Sequence, residues 1–203
     1  MASVHQIEAQ KWINSGILMS RSGNLEEALK CYEKALEFDN SSDIAWFNKG
    51  TTLMRLRDHV RAQECFNKAI GLNPQDPDYY INLGHTFEMT MDYKGGLQAY
   101  MKALELNAED NLDTLYFNIG VCSQKTGLNS QAMHYYQKAI KINQFDHEAL
   151  YNMAIVAMKL REFDVAIGAL KVLEEISPNQ QQIDQLKMIV LPIVTTEDKA
   201  KRD

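Results

Sequence analysis

No stretch of this 203-residue chain approaches the roughly 20 consecutive apolar residues that a membrane-spanning helix requires. The longest apolar run, Met188 to Val194, is short and contains Pro192. The opening segment, Met1 to Glu8, has no basic stretch leading into an apolar core, so no secretory signal is expected. There is no basic block, and the net charge is −6. Phosphate binding draws on clustered Lys and Arg, so nucleic acid is not the expected partner. Cysteine is scarce: Cys31, Cys65 and Cys122 form no close pair and are odd in number. They read as packing residues in a reducing, cytoplasmic compartment. The triplet Asn40-Ser41-Ser42 matches a glycosylation acceptor, but without a secretory route the match is accidental.

Catalytic patterns are missing too. The five histidines, His5, His59, His85, His134 and His147, are scattered, with neither an H-E-x-x-H pair nor zinc spacing. No phosphate loop, G-x-S-x-G or dinucleotide fingerprint occurs. Glu26-Glu27 and Glu174-Glu175 read as solvated or dipole-complementing carboxylates. No metal, cofactor or enzymatic activity is expected.

What the chain does have is a period. Gly16, Gly50, Gly84, Gly120 and Ala154 recur at spacings of 34, 34, 36 and 34 residues. Four positions before each stand Trp12, Trp46, Tyr80, Tyr116 and Leu150. Twelve after come Ala28, Ala62, Gly96, Ala132 and Ala166, then Tyr32, Phe66, Tyr100, Tyr136 and Leu170, then Ala35, Ala69, Ala103, Ala139 and Leu173. Each unit carries two apolar stripes at helical spacing. Breaks divide them at Ser22-Gly23-Asn24, Arg57-Asp58, Met91-Asp92, Thr126-Gly127 and Arg161-Glu162. Each unit is therefore a helical hairpin whose small residues allow close approach and whose aromatics fill the space beside them. One hairpin cannot cover its own apolar face, so neighbours stack.

This pattern resembles the tetratricopeptide repeat (TPR), W-x2-L-G-x2-Y, then A-x3-F, then P, with Pro74 and Pro178 closing the second and fifth units. The resemblance implies an all-α solenoid of five hairpins plus a C-terminal capping helix in a right-handed superhelix. Its register gives a lead-in over residues 1–8, repeats at 9–42, 43–76, 77–110, 113–146 and 147–180, a cap over 181–191 and a flexible tail over 192–203. In the cap, Ile183, Leu186, Ile189 and Val190 are spaced to face inward, with Gln181, Gln182, Gln185 and Lys187 outward and Pro192 as the limit. Asn111 and Leu112 are extra. They fit either a longer turn or a local change of stacking angle.

Two residues before each small position stands an asparagine: Asn14, Asn48, Asn82, Asn118 and Asn152. Asn is a mediocre helix former, so five recurrences ask for a reason. In the TPR family this face of the first helix lines the concave groove. There a carboxamide, donor and acceptor at once, holds a peptide backbone, as in the asparagine ladders of the kinesin light chain and the peroxisomal import receptor. A cap or bridge between units fits the same row. Beside it run Ile13, Phe47, Ile81, Phe117 and Tyr151, and Ile17, Thr51, His85, Val121 and Ile155. Near the helix ends come Arg21, Arg55, Met89, Lys125 and Lys159; the four basic ones suit the helix dipole and give one lip of the groove a positive potential. The carboxylate clamp of chaperone-binding members, Lys and Asn on one repeat, Asn on the next, Lys and Arg on a third, is not matched: the corresponding places hold Ile13 and Ile17, Asn48, then Asp78 and Asn82, and only the middle Asn survives.

The expected function is a protein-interaction module that takes an extended or partly helical peptide in its groove. Backbone capture, apolar side pockets and steering of acidic segments would work together there. The alternative is a scaffold subunit that uses its convex face or terminal repeats.

Overall fold

The computed structural model describes residues 3–108, 111–176 and 180–200, with no side chain described for Gln180 or beyond Pro192. Pro178 lies outside the described residues. The described residues form eleven helices and no strand. They fall into two compact units, Met1–Ala108 and Glu109–Asp203.

The first unit holds α1 (Val4–Arg21), α2 (Leu25–Phe38), α3 (Asp43–Arg55), α4 (His59–Leu72), α5 (Pro77–Met89) and α6 (Tyr93–Glu105). Consecutive helices pair as hairpins, and each hairpin packs on the next. Starts are set by short polar side chains. Ser42, Asp58, Asp76 and Asp92 each accept a backbone N–H of the following turn, which satisfies a donor the helix itself leaves unpaired. The residues before the second repeat's tryptophan position also belong to this logic, because Trp46 Nε1 donates to the Asn40 carbonyl at 3.0 Å. Helix α1 begins at Val4, inside the expected lead-in, because Ser3 and Gln6 form a reciprocal capping box.

The breaks inside the hairpins share one geometry. Gly23, Arg57, Met91, Gly127 and Arg161 all have φ between 61° and 84°. In each, the next residue's N–H reaches back five residues, as from Asn24 to Met19 and from Asp58 to Leu53. This is the Schellman ending, whose left-handed residue favours glycine.

The second unit holds α7 (Leu112–Lys125), α8 (Asn129–Ile142), α9 (His147–Leu160), α10 (Phe163–Ile176) and α11 (Gln180–Ala200). Of the two extra residues, Asn111 takes a left-handed conformation (φ 52°) just before α7, and Leu112 becomes the first residue of that helix. Helix α11 packs on α10 and α9. Ile183, Leu186 and Val190 join Leu150, Met153, Leu170 and Leu173 in one core.

Two expectations for this end of the chain need correction. Ile189 is 44% exposed, and Val190 takes the inward place. The helix also does not stop at Pro192 but continues to Ala200. Proline removes one backbone N–H. The carbonyl that loses its donor belongs to Met188, a residue 77% exposed, where water can serve it. Of the expected flexible tail, residues 201–203 lie outside the described residues.

Candidate peptide-binding site

In the first unit the asparagine side chains are tied down locally. Nδ2 of Asn48 donates to the Ile44 carbonyl at 2.8 Å, and Nδ2 of Asn82 to the Asp78 carbonyl at 2.9 Å. Each amide thus spends a donor on its own helix four residues back, a bond that spacing alone did not reveal. What remains at a fixed place is Oδ1, an acceptor. Asn14 differs: its Oδ1 accepts from Gln10 Nε2 at 3.0 Å. Asn14 is exposed, while Asn48 and Asn82 are half-buried.

The apolar row is largely structural. Ile13 is buried. Phe47 lies 4.9 Å from Tyr79 and 5.9 Å from Phe66 between ring centroids, so it joins two hairpins of this unit. Ile81 is half-buried. The Thr51 hydroxyl donates to the Phe47 carbonyl at 3.0 Å. Arg55 Nη1 donates to the carbonyl and the hydroxyl of Ser20 at 2.7 and 2.8 Å. That places a cation on the C-terminal end of the neighbouring helix, where the dipole favours it.

His85 shares a small polar cluster. Its Nδ1 lies 3.0 Å from the Tyr100 hydroxyl and 3.7 Å from Glu88 Oε2, and the same hydroxyl donates to Glu88 Oε2. The neighbouring units explain this pairing. In the third and fourth repeats the residue four after the small position meets the ring sixteen after it. Glu88 and Gln124 accept from the hydroxyls of Tyr100 and Tyr136. Met54 stands where the ring is Phe66, which needs no acceptor, and both belong to one apolar cluster.

Asn82, His85 and Met89 lie on one face of α5, and Asn48, Thr51 and Arg55 on one face of α3, since each set is spaced i, i+3, i+7. Below the row, Met54, Arg55, Arg57, His59, His85 and Met89 line a cavity of about 630 Å³. The sequence reading placed Arg55, His85 and Met89 near a groove but missed Met54, Arg57 and His59. The signal was available. A break between two helices brings the start of the second beside the end of the first, so Arg57 and His59 had to lie near Arg55.

In the second unit the row is less uniform. Asn118 is buried, at 8% exposure, and so offers a ligand the least surface of the row. Asn152 is half-buried. Phe117 sits 6.0 Å from Tyr136. Phe117, Val121 and Tyr151 pack against the unit's core. Lys125 and Lys159 are exposed in the last turns of α7 and α9.

Among the described residues no group of three or more His, Cys, Asp or Glu gathers as for a metal, and no helix is long and apolar enough to cross a membrane.

Family models match in step with these hairpins. A TPR-repeat model covers residues 21–56, and tetratricopeptide-repeat models cover 44–76, 77–110 and 113–146. Together they span more than half of the chain. The protein belongs to the tetratricopeptide repeat family. No curated protein matches the sequence. Among solved TPR-like structures, YrrB, described as a TPR protein with an unusual peptide-binding site, is 25% identical with a TM-score of 0.79, covering 87% of this chain and 90% of that one. PilF of Pseudomonas aeruginosa is 20% identical with a TM-score of 0.73, covering 98% and 90%. MamA of Desulfovibrio magneticus RS-1 is 18% identical with a TM-score of 0.77, covering 85% and 97%. The last two share the fold alone.

Proposed function

We propose that this TPR protein is an adaptor that captures an extended segment of a partner protein by its backbone. The observation that carries the reading is the tethering of Asn48 and Asn82. An amide already fixed to its own helix presents Oδ1 to a peptide N–H without first losing rotamer freedom, and such preorganisation strengthens binding. Asn14 and Asn152 extend the row within their own units, and Asn118 contributes least. Ile81, Tyr151, Thr51, His85 and Val121 border it, and Arg55, Lys125 and Lys159 supply positive charge. YrrB, with its peptide-binding site, adds support by similarity. Three cysteines not joined in disulfides suit a reducing compartment, so cytoplasmic placement belongs to the same proposal, as does binding rather than catalysis.

The test is a peptide selected from an unbiased displayed library, titrated against wild type and Asn48→Ala/Asn82→Ala. A net hydrogen bond contributes about 0.5–1.5 kcal/mol, so the pair should weaken binding roughly 10- to 100-fold at ~1.4 kcal/mol per tenfold. Thermal melts should change little, since Ala is the better helix former. Normal binding with a lowered melt would make the row purely structural.

A scaffold reading has one observation in its favour. Met188, Ile189 and Leu191 on α11 are 77%, 44% and 47% exposed, an apolar patch suited to association. Light scattering over a concentration series decides it, because a constant monomer removes this reading.

A further inference from the structure

The cavity at the ends of α3 and α5 differs in chemistry from the rest of the row. Two guanidinium groups, two imidazoles and two thioethers line it, in a chain of net charge −6. The equivalent places two repeats on, in the second unit, are Gln124, Lys125, Gly127, Asn129, Ile155 and Lys159. There one cation comes from the helix end and another from the next repeat, but both imidazoles, both thioethers and the turn cation are gone. The combination belongs to this one site.

The two carboxylates nearest in the chain are committed to groups other than Arg55 and Arg57. Asp58 accepts the Arg61 backbone N–H at 3.2 Å and pairs with Arg61 Nη1 at 3.4 Å. Glu88 is held by the Tyr100 hydroxyl and lies near His85. Arg55 commits only Nη1, to Ser20, and guanidinium has five N–H donors. Arg57 is exposed on a turn in the left-handed conformation, so its side chain is carried at the rim on a fixed backbone. Met54 and Met89 supply the remainder of the wall. Methionine is flexible and polarizable and adapts to apolar partners of varied shape. The volume, about 630 Å³, falls within the range of roughly 300–1,000 Å³ typical of ligand sites.

We infer that this cavity is a specificity pocket for an acidic-apolar peptide segment, in which Asp or Glu side chains pair with Arg55 and Arg57 while a neighbouring apolar side chain lies against Met54 and Met89. The inference rests on the peptide-capture reading and names its ligand class. Bidentate guanidinium–carboxylate geometry supplies the selectivity, and the asparagines above it hold the chain whatever its side chains. A basic peptide meets two like charges and is rejected.

The probes are two pools of labelled nine-residue peptides that alternate Leu, Ile or Phe with Asp or Glu in one pool and with Lys or Arg in the other. They are titrated against the full chain by fluorescence anisotropy. The acidic pool should bind at least tenfold more tightly than the basic pool, and the preference should shrink in high salt. Arg57→Gly removes the charge at a position where glycine suits the backbone, and Met89→Glu changes an exposed wall residue. Together they should weaken the acidic pool at least tenfold while the melt does not fall, because glycine at 57 relieves the left-handed strain. Equal binding of both pools, or acidic binding indifferent to these variants, overturns the inference. If the acidic pool then still depends on Asn48 and Asn82, backbone capture survives and only the pocket assignment falls. The pocket assignment falls in the same way if the acidic pool does not bind while a peptide from the unbiased library does.

Discussion

The Cβ that Gly84 lacks would sit 2.5 Å from Cε1 of Tyr100. The same relationship joins Gly16 to Tyr32, Gly50 to Phe66 and Gly120 to Tyr136, at 2.5 to 2.8 Å. In the last repeat the small residue is Ala154, and its partner shrinks to Leu170. Side-chain volume is balanced across the pair, as close packing requires.

Gly84→Ala should therefore destabilise the protein even though alanine favours helices by up to about 1 kcal/mol. The Tyr100 ring is fully buried and its hydroxyl is held by His85 and Glu88, so it cannot move aside cheaply. Overpacking of this kind costs about 1–3 kcal/mol, and we expect a net loss of about 1–2 in urea denaturation. Gly84→Ala combined with Tyr100→Leu and Glu88→Met copies the Ala154, Leu170 and Met158 set and should recover part of that loss. A triple variant no more stable than the single would show that the pairs are not interchangeable units.

The hairpins and their breaks were legible because small residues, aromatics and turn residues keep one period, and a helix has only one face that can bury them. The polar pairing of Glu88 with Tyr100 and Gln124 with Tyr136 was equally present in the sequence, twelve residues apart each time, yet it shows only when the hydroxyl is matched to an acceptor. Other features have no such signal. The bonds of Asn48 and Asn82 to their own helices depend on side-chain rotamers. The burial of Asn118 depends on what surrounds it. At α11 an isolated apolar run does not fix the helix phase to better than one residue, and so Ile189 and Val190 were not distinguished.

Three of the five hairpin breaks carry a side chain in a conformation that favours glycine: Arg57, Met91 and Arg161, with φ of 63°, 61° and 64°. A side chain in the left-handed region costs roughly 1–2 kcal/mol. Glycine relieves this but adds freedom to the unfolded chain. Met91→Gly and Arg161→Gly should each stabilise by about 0.5–1 kcal/mol, while Gly23→Val and Gly127→Val should destabilise by more than about 1 kcal/mol. Thermal melts of the four variants check the sign at each site.

Burial pushes the Cys65 thiol up to about 11 from an ordinary value of 9.0. A raised thiol favours the protonated form in the folded state. The stability it contributes is therefore complete below about pH 9 and is lost as pH rises through about 11. Urea midpoints of wild type should fall faster over that window than those of Cys65→Ala. In the native protein at pH 8.5, iodoacetamide should reach half-buried Cys31 before buried Cys65 and Cys122, as followed by mass spectrometry. Prior labelling of Cys65 would contradict its burial.

The terminal helix offers the sharpest test of phase. Ile183 and Leu186 are 2% and 0% exposed and pack on the last repeat, whereas Ile189, three residues on, is 44% exposed. Lys187 Nζ meets Glu174 Oε1 at 2.6 Å. This solvent-exposed ion pair joins α11 to α10, but it is the buried Ile183, Leu186 and Val190 that set the helix's rotation. Removing a buried Leu side chain costs about 2–5 kcal/mol, so Leu186→Ala should lower the melting temperature sharply and expose the apolar face of the last repeat. Ile189→Ala should stay within about 0.5 kcal/mol of wild type, as surface substitutions do. Val190→Ala, at a residue 0% exposed, should resemble Leu186→Ala in direction. Should Ile189→Ala prove the more damaging of these two neighbours, the helix is rotated by about 100° from the arrangement described, and Ile189 rather than Val190 closes the core.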